Sequence, residues 1–237
     1  MSPLLCIYST HNSFWFAVFA TSIYDIEQVR YRYFLYSVQT HKYNMHNHTE
    51  LERRAADQQR IWLSAVSSHC THQITLQTLL HTQAVKPTAM RERVFRAQSV
   101  LRYFIPRFNR ALTGNGSRRN NKYLPIIVPV LEGTCDTYNP NKTLHWHLMV
   151  GNTPSHIDTT ALQQHARDIW RQHDIAQDDV NASTLWLRQG WAGYTTKEYR
   201  HGNYEGIDYA LLQAPQHILA ELNLTNSITR NTIDAAL

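Results

Sequence analysis

A chain of 237 residues, 43% of them hydrophobic, is long enough to bury one sizeable core and reads as a single ordinary domain with appended ends. Its three cysteines, Cys6, Cys70 and Cys135, give no disulfide framework and no Cys-x-x-Cys pair, which points to a reducing, cytoplasmic setting. The net charge of +5 hides a block between Lys86 and Lys122 with ten Lys/Arg against one acid, Glu92. Such a block suits a polyanion. A phosphate-cradling Gly-x-x-x-x-Gly-Lys-Ser/Thr loop is absent, and Gly114-Asn115-Gly116 reads as a turn, so the chain is not its own ATP motor.

Residues 1–44 are atypical. The apolar run Phe14–Ala20 is too short to span a bilayer and lacks the basic start and cleavage site of a signal peptide, so no membrane partner is expected. Clear periodicity begins after Met45, which reads as a better start than Met1. The expected layout is an atypical segment over 1–44, a helical lead-in over 45–72, the motif-bearing domain over 73–210 and a tail over 211–237.

The lead-in helix is expected over His48–Ser68, capped by Thr49 with Glu50 and Glu52 in its first turn. Gln73–Thr82 reads as the first strand. Pro87 and Thr88 introduce a long basic helix, about Ala89–Pro106 continuing to Leu112. Val94, Ala97, Val100, Leu101 and Phe104 form its apolar stripe. Pro106 is expected to kink or divide it. Gly114–Asn121 reads as a basic loop.

Leu124–Glu132 is a second strand, whose prolines at 125 and 129 predict an edge or irregular position. A turn over Asp136–Asn141 joins it to Thr143–Gly151 as a hairpin. Thr159–Gln172 is amphipathic, Ser183–Arg188 reads as a short fourth strand, and Gly190–His201 as a helix stopped by Gly202 or Asn203. One more helix is expected over Pro215–Leu222. The β-α-β-β-α-β order predicts an α+β, ferredoxin-like or RRM-like antiparallel sheet with helices on one face, the other face being left free for a site.

Thr143–Gly151 carries the most chemistry. Alternation along a strand puts His145 and His147 on one face and Trp146 on the other. Two imidazoles so spaced can share a divalent cation, and Glu132, ending the paired strand, can complete the set. Mixed nitrogen and oxygen donors with open positions suit Mg²⁺ or Mn²⁺ beside a phosphate. A zinc site of Cys135, His145 and His147 is an alternative.

A second feature is Tyr194-Thr-Thr-Lys197-Glu198-Tyr199. On a helix Tyr194 shares a face with Lys197 and Glu198. A tyrosine can be a covalent nucleophile when a neighbouring cation lowers the cost of phenolate, and Lys197 supplies one. Tyr199 faces partly away. The third feature is the basic helix and loop, where Arg91, Arg93, Arg96, Arg118, Arg119 and Lys122 would grip a DNA backbone. Trp186 and Trp191 are stacking candidates or core. The three features are expected to meet at one site.

These motifs together resemble the HUH endonuclease superfamily. The likeness rests on His145-Trp146-His147, the acidic Glu132 before them, the Thr-containing strand Ile74–Thr78 and the single Tyr194–Lys197 motif, over about residues 73–204. Within that superfamily it resembles rolling-circle replication initiators of plasmids and phages. The resemblance implies nicking and rejoining of single-stranded or extruded DNA at a replication origin. His145, His147 and Glu132 would hold the metal, Tyr194 would form a 5′-phosphotyrosine, and Lys197 would offset charge at the phenolate. The chain departs from larger initiators in lacking a helicase domain, which implies a host helicase and polymerase as partners. Single-tyrosine transposases usually carry Gln where Lys197 stands, and relaxases carry a further histidine. Other readings are a non-catalytic RRM-like nucleic-acid-binding module and a zinc-stabilised interaction domain.

Overall fold

The structure, a computed structural model, describes residues 9–10, 13–14, 50–83, 85–134, 142–185, 188–198 and 206–222. The chain divides into two compact units, Met1–Tyr43 and Asn44–Leu237. Of the first, the described residues are an antiparallel ladder pairing Ser9–Thr10 with Ser13–Phe14. Met45, Thr49, the Asp136–Asn141 turn, Cys135, Trp186 and Tyr199 lie outside the described residues.

The second unit runs α1 (Glu50–Ser67), β1 (Cys70–His81), α2 (Pro87–Thr113), β2 (Ile126–Glu132), β3 (Thr143–Gly151), α3 (Thr159–Trp170), β4 (Ala176–Thr184) and α4 (Arg188–Thr195). The strands form one antiparallel sheet in the order β2-β3-β1-β4. This is the expected α+β, ferredoxin-like arrangement: β1 and β2 flank β3, and each crossover carries a helix. Local chemistry sets the helix ends. Pro87 opens α2, where its missing N–H costs nothing, and Gly114 at φ +57° closes it. Asp158 caps α3 by accepting from the Ala161 N–H at 2.7 Å.

The sheet has two different faces. Ile74 and Leu76 of β1, Ile127 and Leu131 of β2, and Leu144, Trp146, Leu148 and Val150 of β3 point one way. There α2 and α3 close over them with Leu101, Phe104, Phe108, Leu162 and Trp170. The opposite face holds a second core, in which Ile126, Val128, Val130 and Met149 meet Leu63 and Val66 of α1, Trp191 and Ala192 of α4, and Ile207, Ala214 and Leu222. The expectation of a free second face is therefore corrected. The lead-in helix and the tail, helical over 216–222, are packed into the domain because they cover apolar residues that alternation turns outward.

β2 is an edge strand, as its prolines predicted. Its outer side pairs with the chain after 205: the Ile127 N–H donates to Gln213 O at 2.9 Å and the Leu131 N–H to Gly206 O at 2.7 Å. Pro129, between them, has no N–H to offer, and its carbonyl accepts from Asp208 N at 3.0 Å.

Three further expectations change. Helix α2 runs unbroken through Pro106, which lies on the exposed side where water can replace the lost helical bond. The segment read as a basic loop contains a single helical turn, Gly116–Arg119, and a 3₁₀ turn, Asn121–Tyr123. The fourth strand is Ala176–Thr184, not Ser183–Arg188. As an edge strand it needs little apolar content, and Val180 and Ala182 face the first core; Leu185 instead belongs to the second core.

Candidate metal centre

The hairpin register builds the site. Glu132 stands directly opposite His145, and Val130 opposite His147. On the other side of β3, Thr75 is opposite His147. Directly paired residues share a face, so Glu132, His145 and His147 converge on the second face, at the Glu132 end of the sheet beside the second core. The ligand-capable atoms of the three all lie within 4.8 Å of one another. Glu132 Oε2 is 3.4 Å from His145 Nε2 and 3.3 Å from His147 Nε2. Donors about 2.1 Å from an ion and at right angles stand about 3 Å apart, so the spacing fits a divalent cation.

Hydrogen bonds behind the rings fix which nitrogens face the centre. His145 Nδ1 lies 3.1 Å from the Thr143 carbonyl, which can only accept, so the neutral ring keeps its lone pair on Nε2. His147 Nδ1 is 3.1 Å from Thr75 Oγ1. Such partners orient metal-binding imidazoles. Among the described residues, Glu132 Oε1 is buried without a hydrogen-bond partner and His147 Nε2 has only its 3.3 Å approach to Glu132 Oε2, and buried polar atoms seldom stay so unless something completes them. A buried group of one carboxylate and two imidazoles with atoms left over can hold a divalent metal ion.

The charge of Glu132 persists despite burial at 2% side-chain exposure. Burial raises its pKa, but contacts with His145, His147 and Lys197 together outweigh this and hold the carboxyl far below the usual range. Lys197 Nζ lies 2.6 Å from Glu132 Oε2. Burial lowers its pKa, and Glu132 with Tyr194 raises it further than burial lowers it.

Tyr194 stands at the mouth of the cluster and is 51% exposed. Its ring is 5.4 Å from that of His147, edge to face, and the Lys197 ammonium is 3.7 Å from its centroid. Helix α4 ends at Thr195, so Lys197 lies just beyond it. Glu198, the next residue, also turns toward the end of β2. It is buried and accepts from the Gly133 N–H at 2.7 Å. Gly133 follows Glu132 at φ +98°, and a Cβ there would stand 2.7 Å from Thr143 O. The Glu198–Gly133 bond thus ties the residue after Lys197 to the residue after Glu132, which sets the ammonium over the carboxylate.

Two of the three expected features therefore meet: Glu132, His145 and His147 with Tyr194 and Lys197. The basic block does not join them. Arg91, Arg93 and Arg96 belong to α2, across the sheet; Arg93 donates to the His81 carbonyl and Arg96 pairs with Asp174. Arg118, Arg119 and Lys122 are exposed near the start of β2, about 20 Å along the strand from Glu132. They lie there because α2 leads away from the Glu132 end. Trp191 is core. Thr75 has no site role in the sequence analysis; strand alternation could have placed it on the histidine face once its pairing was fixed. No described helix is long and apolar enough to cross a membrane. Set against known protein families, curated proteins and solved structures, the chain finds no match.

Proposed function

We propose that the protein is a metal-dependent DNA-nicking and rejoining enzyme of the HUH endonuclease type, an initiator of rolling-circle replication for a plasmid or phage. The observation that carries this reading is the Tyr194 ring beside His147, at the mouth of a three-donor cluster and in contact with the Lys197 ammonium. The segment that carries Tyr194 and Lys197 meets donors from two separate strands, β2 and β3, which a chance surface motif does not require.

Glu132, His145 and His147 would hold Mg²⁺ or Mn²⁺, which when bound would draw charge from an oxygen of the scissile phosphate. The Tyr194 hydroxyl would attack phosphorus. A bond from phosphorus to the tyrosine oxygen forms as the bond to the 3′-oxygen breaks, leaving a 5′-phosphotyrosine. The phenol proton passes overall to the departing 3′-oxygen. Lys197, already against the ring, would offset negative charge as the phenol ionises. One phosphoester replaces another, so a later 3′-hydroxyl can reverse the step without ATP. The freed 3′-hydroxyl would be extended by a host polymerase, with unwinding by a host helicase.

Lys197, where single-tyrosine transposases usually carry Gln, favours an initiator over that neighbour. An RRM-like module would offer an open sheet face, whereas α1, α4 and the chain after 205 occupy most of this one. The test is a denaturing gel of protein incubated with Mn²⁺ and labelled single-stranded DNA from the replicon carrying the gene, beside Tyr194→Phe. A protein-linked band that needs metal and is absent from the variant is expected. Wild type that binds the DNA but gives neither adduct nor cut would contradict the proposal. An adduct surviving in the variant would move the nucleophile, with Tyr199 next to be tested.

A further inference from the structure

Helix α2 presents a second surface, separated from Glu132, His145 and His147 by the sheet. Its inward side is committed to the first core through Val94, Ala97, Leu101, Phe104 and Phe108. Its outward side carries Phe95 and Tyr103, each 67% exposed. They stand eight residues apart, hence about 12 Å along the axis and on the same outward arc. Exposed Arg102 and Arg110 and half-buried Arg91 share that arc, and Glu92 is the one acid in the whole helix. Neither ring is in either core of the described residues, so packing among them does not account for two large, exposed aromatics standing among arginines.

We propose that this face of α2 binds a single-stranded segment of nucleic acid, with Phe95 and Tyr103 stacking on unpaired bases and the arginines meeting phosphates. The positive charge selects a polyanion. The rings select unpaired bases, because a base within a duplex has no free π-face, while duplex phosphates would need arginine alone. A membrane surface fits less well. An interfacial helix inserts a continuous apolar face, and the apolar face of α2 is already buried. The surface needs neither metal nor Tyr194, so it stands apart from the proposed cleavage chemistry and can be tested with that chemistry silent.

The experiment is fluorescence anisotropy of a labelled 20-nucleotide oligo-dT titrated with the full chain in EDTA, for wild type and the Phe95→Ala/Tyr103→Ala double variant. Both positions are exposed, so the variant should keep the wild-type thermal melt by circular dichroism. The double variant is expected to bind at least tenfold more weakly, and wild type to bind oligo-dT more tightly than a 20-base-pair duplex. Binding by the double variant within twofold of wild type would overturn the proposal. So would a wild-type preference for the duplex, or binding to phosphatidylserine vesicles without binding to oligo-dT.

Discussion

On the face covered by α2 and α3, successive inward residues of β3 are Leu144, Trp146, Leu148 and Val150, all fully buried. One residue out of step, the same strand presents His145, His147 and Met149 to the other face. There the composition changes along the strand's length. Met149 joins Ile126, Val128 and Leu63 in a dry core, while His145 and His147 meet Glu132 where that core stops. The first face is uniform and gives stability. The second is apolar at one end and polar at the other, so rigid packing backs a cluster of donors with unsatisfied atoms. A site built on strands in this way has its ligands fixed by register rather than by loops.

That contrast can be broken from either side. The largest effect should follow Trp146→Ala. Removing this fully buried indole from the first core should cost about 3–5 kcal/mol in urea unfolding, while metal affinity of the folded fraction stays near wild type. Next comes Thr75→Val, which keeps the shape of the side chain but removes the hydroxyl beside His147 Nδ1. Metal affinity measured by calorimetry should fall about 10–100-fold, with a change in unfolding free energy below about 1.5 kcal/mol. The smallest should be Glu198→Gln. The amide oxygen can still accept from Gly133 N–H, but the charge-assisted part of the bond is lost, so unfolding should become easier by about 1 kcal/mol. If Thr75→Val unfolds the protein instead, the second face is structural and the contrast fails.

Much of this site was legible because strand alternation is a strict rule. The His-Trp-His spacing alone sets two imidazoles on one face, and the hairpin read from the turn over Asp136–Asn141 makes Glu132, at the end of the preceding strand, the third partner. Edge status for β2 was legible from its prolines. The fourth strand was not, since Ala176–Thr184 carries only Val180 and Ala182 inward and its polar residues imitate a loop, whereas the apolar run starting at Leu185 imitates a strand. The meeting of the basic helix with the site also failed. Helical periodicity tells which side of α2 is buried, but not which face of the sheet buries it; that depends on the handedness of the crossover. The covering of the second face was hidden for a related reason: α1 and the chain after 205 gain their role only when a distant sheet offers apolar residues to cover.

The measurement that tests the central claim most directly is a calorimetric titration of Mn²⁺ into the full chain, beside His147→Ala and Glu132→Gln. The account predicts one ion per chain in wild type and loss of that binding in both variants, with all three proteins folded. A folded wild type that takes up no Mn²⁺, or variants that bind it as wild type does, would contradict the assignment of Glu132, His145 and His147 as a metal centre.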